Sequence, residues 1–323
     1  MDVQKRVAAF ERQNGEVFKS SFDMLVGADG VNSRVRQALQ DHAPGFTVRQ
    51  HEGPKAFKTF EVPIMGTEEA EESWKSFTHS SNSKKGQIFG SPRSDGVMSA
   101  ALLLPMEGKM TFETLMKTTE DVRDFFGSNH RGLFGPKGPN EQFARQFLEQ
   151  RPKLLKTTFC SQLALGSVVL IGDAGHAMQA SLGQGVNCAL EDCQVLAQLL
   201  AAEREKTDAT QVFDIPGVLE AYSKLRLEDV HAVCTLSDIA ATIAVRKRLA
   251  AQIMLTVMLN KTLGRLAPKV FRSCSLFTVN QGNTPYRVAM QEYNRESAVN
   301  KRVLIASSVV VIAGLARRVF LRV

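Results

Sequence analysis

The stretch from Gly172 to Asp192 reads GDAGHAMQASLGQGVNCALED and concentrates residue types able to bind a flat or negatively charged ligand. Gly183, Gln184 and Gly185 lie between the apolar run Val168 to Ile171 and a helical pattern. The apolar positions of that pattern are Val186, Ala189, Leu190, Cys193, Leu196 and Leu200. Two glycines let the backbone approach a ligand with no side chain in the way. The unpaired N–H groups of the first helical turn would point at that ligand, and the helix dipole favours a negative one. With Asp173 at the end of the strand, the pattern predicts a site for a phosphate or a flavin. Gly-Gln-Gly by itself is equally compatible with an ordinary tight turn.

A second segment, Asp23 to Arg36, repeats the design as DMLVGADGVNSRVR. A short apolar strand runs into Gly-x-Asp-Gly and a helix start, with Ser33 as an N-cap or first-turn residue. Asp29 and Gly30 fall where the strand ends, which is where ligands collect in open α/β sheets.

Gly27-Ala28-Asp29-Gly30-x-x-Ser33-x-Val35-Arg36 resembles the second flavin fingerprint of the class A flavoprotein monooxygenases, the aromatic hydroxylase fold. Gly172 to Asp192 resembles their third fingerprint, and the two stand in the family's order. Within that family the chain looks most like the kynurenine 3-monooxygenase branch, on Arg151-Pro152, Asp121 to Phe126, and the Phe277-Thr278 to Pro285-Tyr286 region. The resemblance implies FAD and NADPH as cofactors, with O₂ and an aromatic or hydrophobic small molecule as substrates. Asp173 would hold the ribityl hydroxyls. Gly183, Gly185, Val186 and Asn187 would lie against the flavin, while Asp29 and Gly30 would contribute to FAD binding and to handling NADPH. The redox chemistry belongs to the cofactor, so no catalytic side chain is singled out. His176 reads as a packing and hydrogen-bonding residue, with a general base as the alternative. No metal site is expected, because the remaining histidines and the five cysteines show no ligand spacing.

Three departures qualify the resemblance. The family's opening strand, Gly-x-Gly-x-x-Gly and helix, which cradle the ADP half of FAD, have no counterpart here. About 130 to 150 residues of a family member are therefore expected to be missing, by analogy with ordinary domain size, and the chain as written is expected to bind FAD poorly or not at all. Ala180 stands where the family has Pro, which predicts a less rigid turn, and Gly175 stands where it has Ala. Ile239 and Ala240 stand where kynurenine hydroxylases carry a Tyr-Asn pair, so the substrate is not committed to kynurenine.

The expected fold class is α/β, a split FAD-binding domain incomplete at its N-terminus with a mostly antiparallel substrate domain and a helical C-terminal region. Residues 1–43 read as the end of the first FAD-binding segment and 44–165 as the substrate domain. Residues 166–205 return to the FAD domain, 206–300 are helical, and 301–323 form a hydrophobic tail. Strands are predicted at Val7–Phe10, Glu16–Phe18, Asp23–Val26, Ala56–Val62, Gly86–Gly90 and Gly96–Leu104. Helices are predicted over Thr111–Phe126, Asn140–Leu155, Pro216–Leu227 and within Leu236–Leu266, and Asn280–Pro285 reads as a loop.

The net charge is +7, of which the tail 301–323 carries +5 through Lys301, Arg302, Arg317, Arg318 and Arg322. The basicity is local, which argues against a nucleic-acid surface. Between those cations runs Val303 to Ala316, shorter as a helix than a hydrocarbon core. A buried terminal helix is the plain alternative, but the flanking arginines can snorkel. The run therefore predicts a membrane anchor, at the mitochondrial outer membrane by resemblance, with the cytoplasm as the other location. A reductase or epoxidase on the same fold, or a non-catalytic remnant, remain the rival functions.

Overall fold

A computed structural model of the chain describes residues 2–63, 81–83, 86–206, 212–243 and 279–299 apart from 282 and 283, with scattered positions from 245 to 278 and at 302. It divides into two compact units, one made of Met1–His51 with Lys156–Val323 and the other of Glu52–Leu155. The second unit is narrower than the segment 44–165 read from composition. The flanking residues belong elsewhere: Phe46, Cys160, Leu163 and Ala164 are buried in the cores of the first unit.

In the first unit, strands β1 (Val7–Glu11) and β2 (Val17–Ser21) form an antiparallel hairpin. Gly15 at its turn has φ +82°, a conformation that favours glycine. Strand β3 (Leu25–Gly27) pairs in parallel with β10 (Val168–Leu170), which in turn pairs antiparallel with β9 (Ala164–Leu165). All three residues of β10 are buried, as its unbroken apolar run requires. Helix α1 (Arg34–His42) follows β3, and its Ser33 hydroxyl accepts from the Arg36 N–H at 2.9 Å. Gly27 is there for packing: a Cβ would come within 2.7 Å of Leu170 and 2.9 Å of Val35. One short helix, α6 (Asp173–His176), and two long ones, α7 (Gly185–Lys206) and α8 (Ile215–Ile243), complete the described core together with a helix over 286–299. The separate helices expected at Pro216–Leu227 and from Leu236 are one continuous α8 as far as Ile243. No glycine or proline interrupts it after Gly217.

The second unit is built on a sheet of β4 (Val48–Pro63), β5 (Ser81–Ser83), β6 (Gly86–Pro92), β7 (Val97–Pro105) and β8 (Lys153–Cys160), in the order β5-β6-β7-β4-β8, with the start of β4 and the end of β8 belonging to the first unit. Pairing is antiparallel from β5 through β4. The helix expected over Thr111–Phe126 is two, α2 (Phe112–Leu115) and α3 (Thr119–Asn129). Thr111 and Thr118 each close a capping box, so each starts a helix of its own. After α4 (Arg131–Phe134), helix α5 (Glu141–Glu149) stops short of the expected Leu155. Pro152 disfavours helical backbone before it and β8 begins at Lys153. Phe60, Phe126, Phe143 and Phe147 fill this core, with ring centroids 5.3–5.9 Å apart. The Lys58 ammonium, buried among them, donates to the Phe147 carbonyl at 2.9 Å, and burial lowers its pKa. This places a cation at the negative end of α5.

No helix among the described residues is long and apolar enough to cross a membrane. The tail 301–323, apart from position 302, lies outside the described residues, as does most of Leu236–Leu266 beyond Ile243.

Candidate functional site

The turn between β10 and α7 begins at Gly172, whose φ of +57° and buried position suit only glycine. Asp173 opens α6 with its side chain exposed. Its carboxylate has no hydrogen-bond partner among the described residues. A 3-10 turn, Ala180–Leu182, then leads to Gly183 at φ +66° and to the start of α7 at Gly185. First-turn N–H groups have no partner inside their own helix. Those of Gly185, Val186 and Asn187 have none elsewhere among the described residues. Val186 is 72% exposed, so the end of α7 presents both free donors and an apolar surface. A free carboxylate acceptor, free donors at a helix N-terminus and glycines that leave the backbone bare can together receive a flat ligand that carries hydroxyls and negative charge.

Asp29 has a different local task. Its carboxylate accepts the N–H groups of Arg34 at 2.6 Å and Val35 at 3.3 Å, capping α1. Partial burial works against its charge. The hydrogen bonds from Ser33 and from the Arg34 and Val35 N–H groups outweigh this and hold the carboxyl below its ordinary pKa. Gly30 follows at φ +80° with open space around it. Arg36, in the same motif, ties the two fingerprints together. Buried, it donates to the Ala174 carbonyl at 2.7 Å and to the Val31 carbonyl at 2.7 Å.

Beneath the turn lies a buried ionic network that sequence reading did not find. Asp192 accepts from the Gly172 N–H at 2.9 Å, from His176 Nε2 at 2.5 Å and from Arg226 Nε at 2.9 Å. Arg226 also reaches Glu191 at 2.8 Å and Cys188 Sγ at 3.3 Å. Burial alone would lower the pKa of His176, but its bonds to Asp192 and Cys188 push it up to about 10. His176 is 1% exposed, and both of its ring nitrogens face protein partners, Asp192 and Cys188. His176, Cys188 and Asp192 bring their ligand atoms within 4.8 Å of one another. Here they hold an arginine and an N–H instead, and a guanidinium beside the carboxylate opposes a second cation.

The turn itself is anchored by four further bonds. Gln179 Nε2 donates to Thr157 Oγ1 at 3.0 Å, and Ser181 Oγ donates to the Ser237 carbonyl at 2.6 Å. Gln184 is buried, accepting from Tyr286 Oη at 3.0 Å and donating to Asn280 Oδ1 at 2.8 Å. These bonds restrain the turn in which Ala180 replaces a proline. Gly175 also fits its place closely, since a Cβ there would meet Leu163 at 3.0 Å.

Comparison with known proteins follows the same site. The family described as FAD binding domain matches residues 2–235, a span that includes both glycine turns. The chain belongs to this family of FAD-dependent monooxygenases. It is 28% identical over 295 residues to the kynurenine 3-monooxygenase of Salinispora arenicola, covering 89% of this chain and 60% of that one. It is 30% identical over 217 residues to the violacein synthase of Chromobacterium violaceum, covering 66% and 48% respectively. The chain thus spans about half the length of the curated relatives it matches. The fold matches pqsL, a probable FAD-dependent monooxygenase from Pseudomonas aeruginosa, with a TM-score of 0.51 at 19% identity, over 76% of this chain and 65% of that one. It matches Klebsiella pneumoniae HpxO, complexed with FAD and uric acid, with a TM-score of 0.50 at 20% identity, over 76% and 59%.

Proposed function

We propose that this chain carries the flavin-ring half of the site of a monooxygenase that uses FAD, NADPH and O₂ on an aromatic small molecule. The observation that carries the reading is the pairing of the unpartnered Asp173 carboxylate with the free N–H groups at the start of α7, on one rigid turn. FAD, when bound, supplies the redox chemistry, taking a hydride from NADPH and passing oxygen from O₂ to the ring. The chain's own residues bind and orient. Asp173 would accept hydrogen bonds from the ribityl hydroxyls, and Gly183 would leave space beside the ring. The N–H groups of Gly185, Val186 and Asn187 would face the flavin and favour negative charge on it. Asp29 and Gly30 set the start of α1, and Arg36 keeps that helix in register with the Asp173 turn. NADPH and an aromatic substrate are supported by the resemblance of both fingerprints. Attachment to a membrane is supported by the cation-flanked composition of Val303 to Ala316; the mitochondrial outer membrane as its site rests on the resemblance alone.

The test is flavin titration of the full chain, followed by quenching of flavin fluorescence. Asp173→Ala should weaken FAD about tenfold or more, the loss of roughly one charge-assisted hydrogen bond, while the melting temperature stays within a few degrees. An unchanged affinity would show that Asp173 does not hold the cofactor.

A further inference from the structure

Gln184, the residue between the two glycines, is held from far along the chain. Neither glycine is wedged by packing, since a Cβ at Gly183 or Gly185 would meet nothing within 4 Å. From Ser181 to Asn187 only Gln184 is buried. Its amide makes four hydrogen bonds, the full capacity of that group. Two are local: Nε2 donates to the Leu182 carbonyl at 3.3 Å, and Oε1 accepts from Asn187 Nδ2 at 3.3 Å. The shorter two are distant. Oε1 accepts from Tyr286 Oη at 3.0 Å, and Nε2 donates to Asn280 Oδ1 at 2.8 Å. Both partners lie beyond residue 235, where the match to the FAD binding domain family ends.

Tyr286 is itself fixed in place. It is buried in a core of the first unit. Burial raises the pKa of its hydroxyl, which therefore keeps the proton it donates. Its neighbour Arg287 donates its backbone N–H to Asp229 Oδ1 at 2.8 Å and its guanidinium to Oδ2 at 2.6 Å. These bonds fasten the helix over 286–299 to α8. Asn280 stands on a 3-10 turn, Val279–Gln281, within what the sequence suggested was a plain loop.

We propose that Tyr286 and Asn280 are positioning residues of the candidate flavin site, supplied by the C-terminal region from outside the matched domain. The inference rests on the flavin reading of the turn. Glycines on both sides leave this backbone a wide choice of conformations. A turn that became ordered only on contact with the cofactor would lose affinity to that ordering. The saturated amide of Gln184 fixes the turn beforehand, so the N–H groups of Gly185, Val186 and Asn187 keep one direction. Tyr286 and Asn280 act through Gln184.

The variants that test this are Tyr286→Phe, which keeps the ring and loses the donor, Gln184→Met, and the two combined in the full chain. The first readout needs no flavin. Cys188 donates its N–H to the Gln184 carbonyl at 2.9 Å, so hydrogen exchange there reports whether Gln184 stays in place. Tyr286→Phe should speed that exchange about fivefold, the loss of one hydrogen bond, and leave exchange at Leu196, further along α7, unchanged. The second readout is FAD itself. Tyr286→Phe should weaken FAD by a similar factor. The reduction potential of the bound flavin should fall, because fewer aligned N–H groups favour the negative charge of the reduced ring. The combined variant should bind FAD no more weakly than Gln184→Met, since both changes remove one link. A chain that gives the exchange result without binding FAD keeps the clamp on Gln184 and overturns the flavin reading. Unchanged exchange at Cys188, equal acceleration along the whole of α7, an unchanged potential, or losses that add in the combined variant would each overturn the positioning role.

Discussion

Asp192 organises the turn at Gly172 from beneath it. Three donors converge on its two oxygens, one of them the N–H of Gly172, the residue that bends the chain toward Asp173. An ion pair this deeply buried contributes little relative to a well-packed apolar core, but breaking one partner strands the others. The charge on His176 gives the network a pH signature. Its folded pKa, near 10, lies above the ordinary value of 6.5, so its contribution is complete below that value. The contribution is lost as pH rises from there through about 10. Asp192 is shifted downward, so its contribution holds above the ordinary carboxylate range and is lost only in acid. The melting temperature should therefore fall steadily between pH 7 and 10. His176→Gln should start lower and lose most of that slope. An equal slope in both proteins would assign it to other groups.

At the scale of elements, the site is one packed unit of β3, β10, α1, α6 and α7. The parallel pairing of Leu170 with Gly27 sets the two fingerprint turns side by side, and Arg36 bonds across them. Gly27→Ala pushes a methyl into Leu170 and Val35, neither of which can swing away inside the core cluster. Overpacking of this kind costs about 1–3 kcal/mol. Chemical denaturation should show that loss, with FAD affinity falling alongside because both turns move. Intact stability would mean that the strands separate easily. Much of this was legible in advance. The strand runs, Ser33 as the cap of α1 and the glycines at positive φ are local demands, readable from a few adjacent residues. Helix ends were less so. The break at Thr118 depends on a second capping box within one apolar pattern, and the long α8 hides two helical candidates in one.

For the whole molecule, the two compact units carry separate cores. The cluster around Phe126 draws only on residues between Ala56 and Leu154, and the flavin turn draws only on the other unit. The tail adds a property that neither core supplies. Its five cations and no acids surround an apolar run, a composition suited to an anionic bilayer surface. A chain ending at Asn300 should move from the membrane fraction to the soluble one after cell lysis. Retention with membranes would locate the anchor elsewhere.

The sequence by itself determined the family, its use of FAD and the two glycine turns proposed to hold it. These depend on glycine conformation, strand runs and helix starts, and each is written within a dozen neighbouring residues. Tertiary structure alone decided the partners. Asp192 meets Arg226 from 34 positions away, and His51 meets Asp238 from 187. Neither pair leaves a spacing to read, because a buried charge is matched by whatever packing brings opposite it. Asp29 shows the division within one residue. Its place at a strand end was evident, but that its carboxylate caps α1 depended on the backbone path from Gly30 to Arg34.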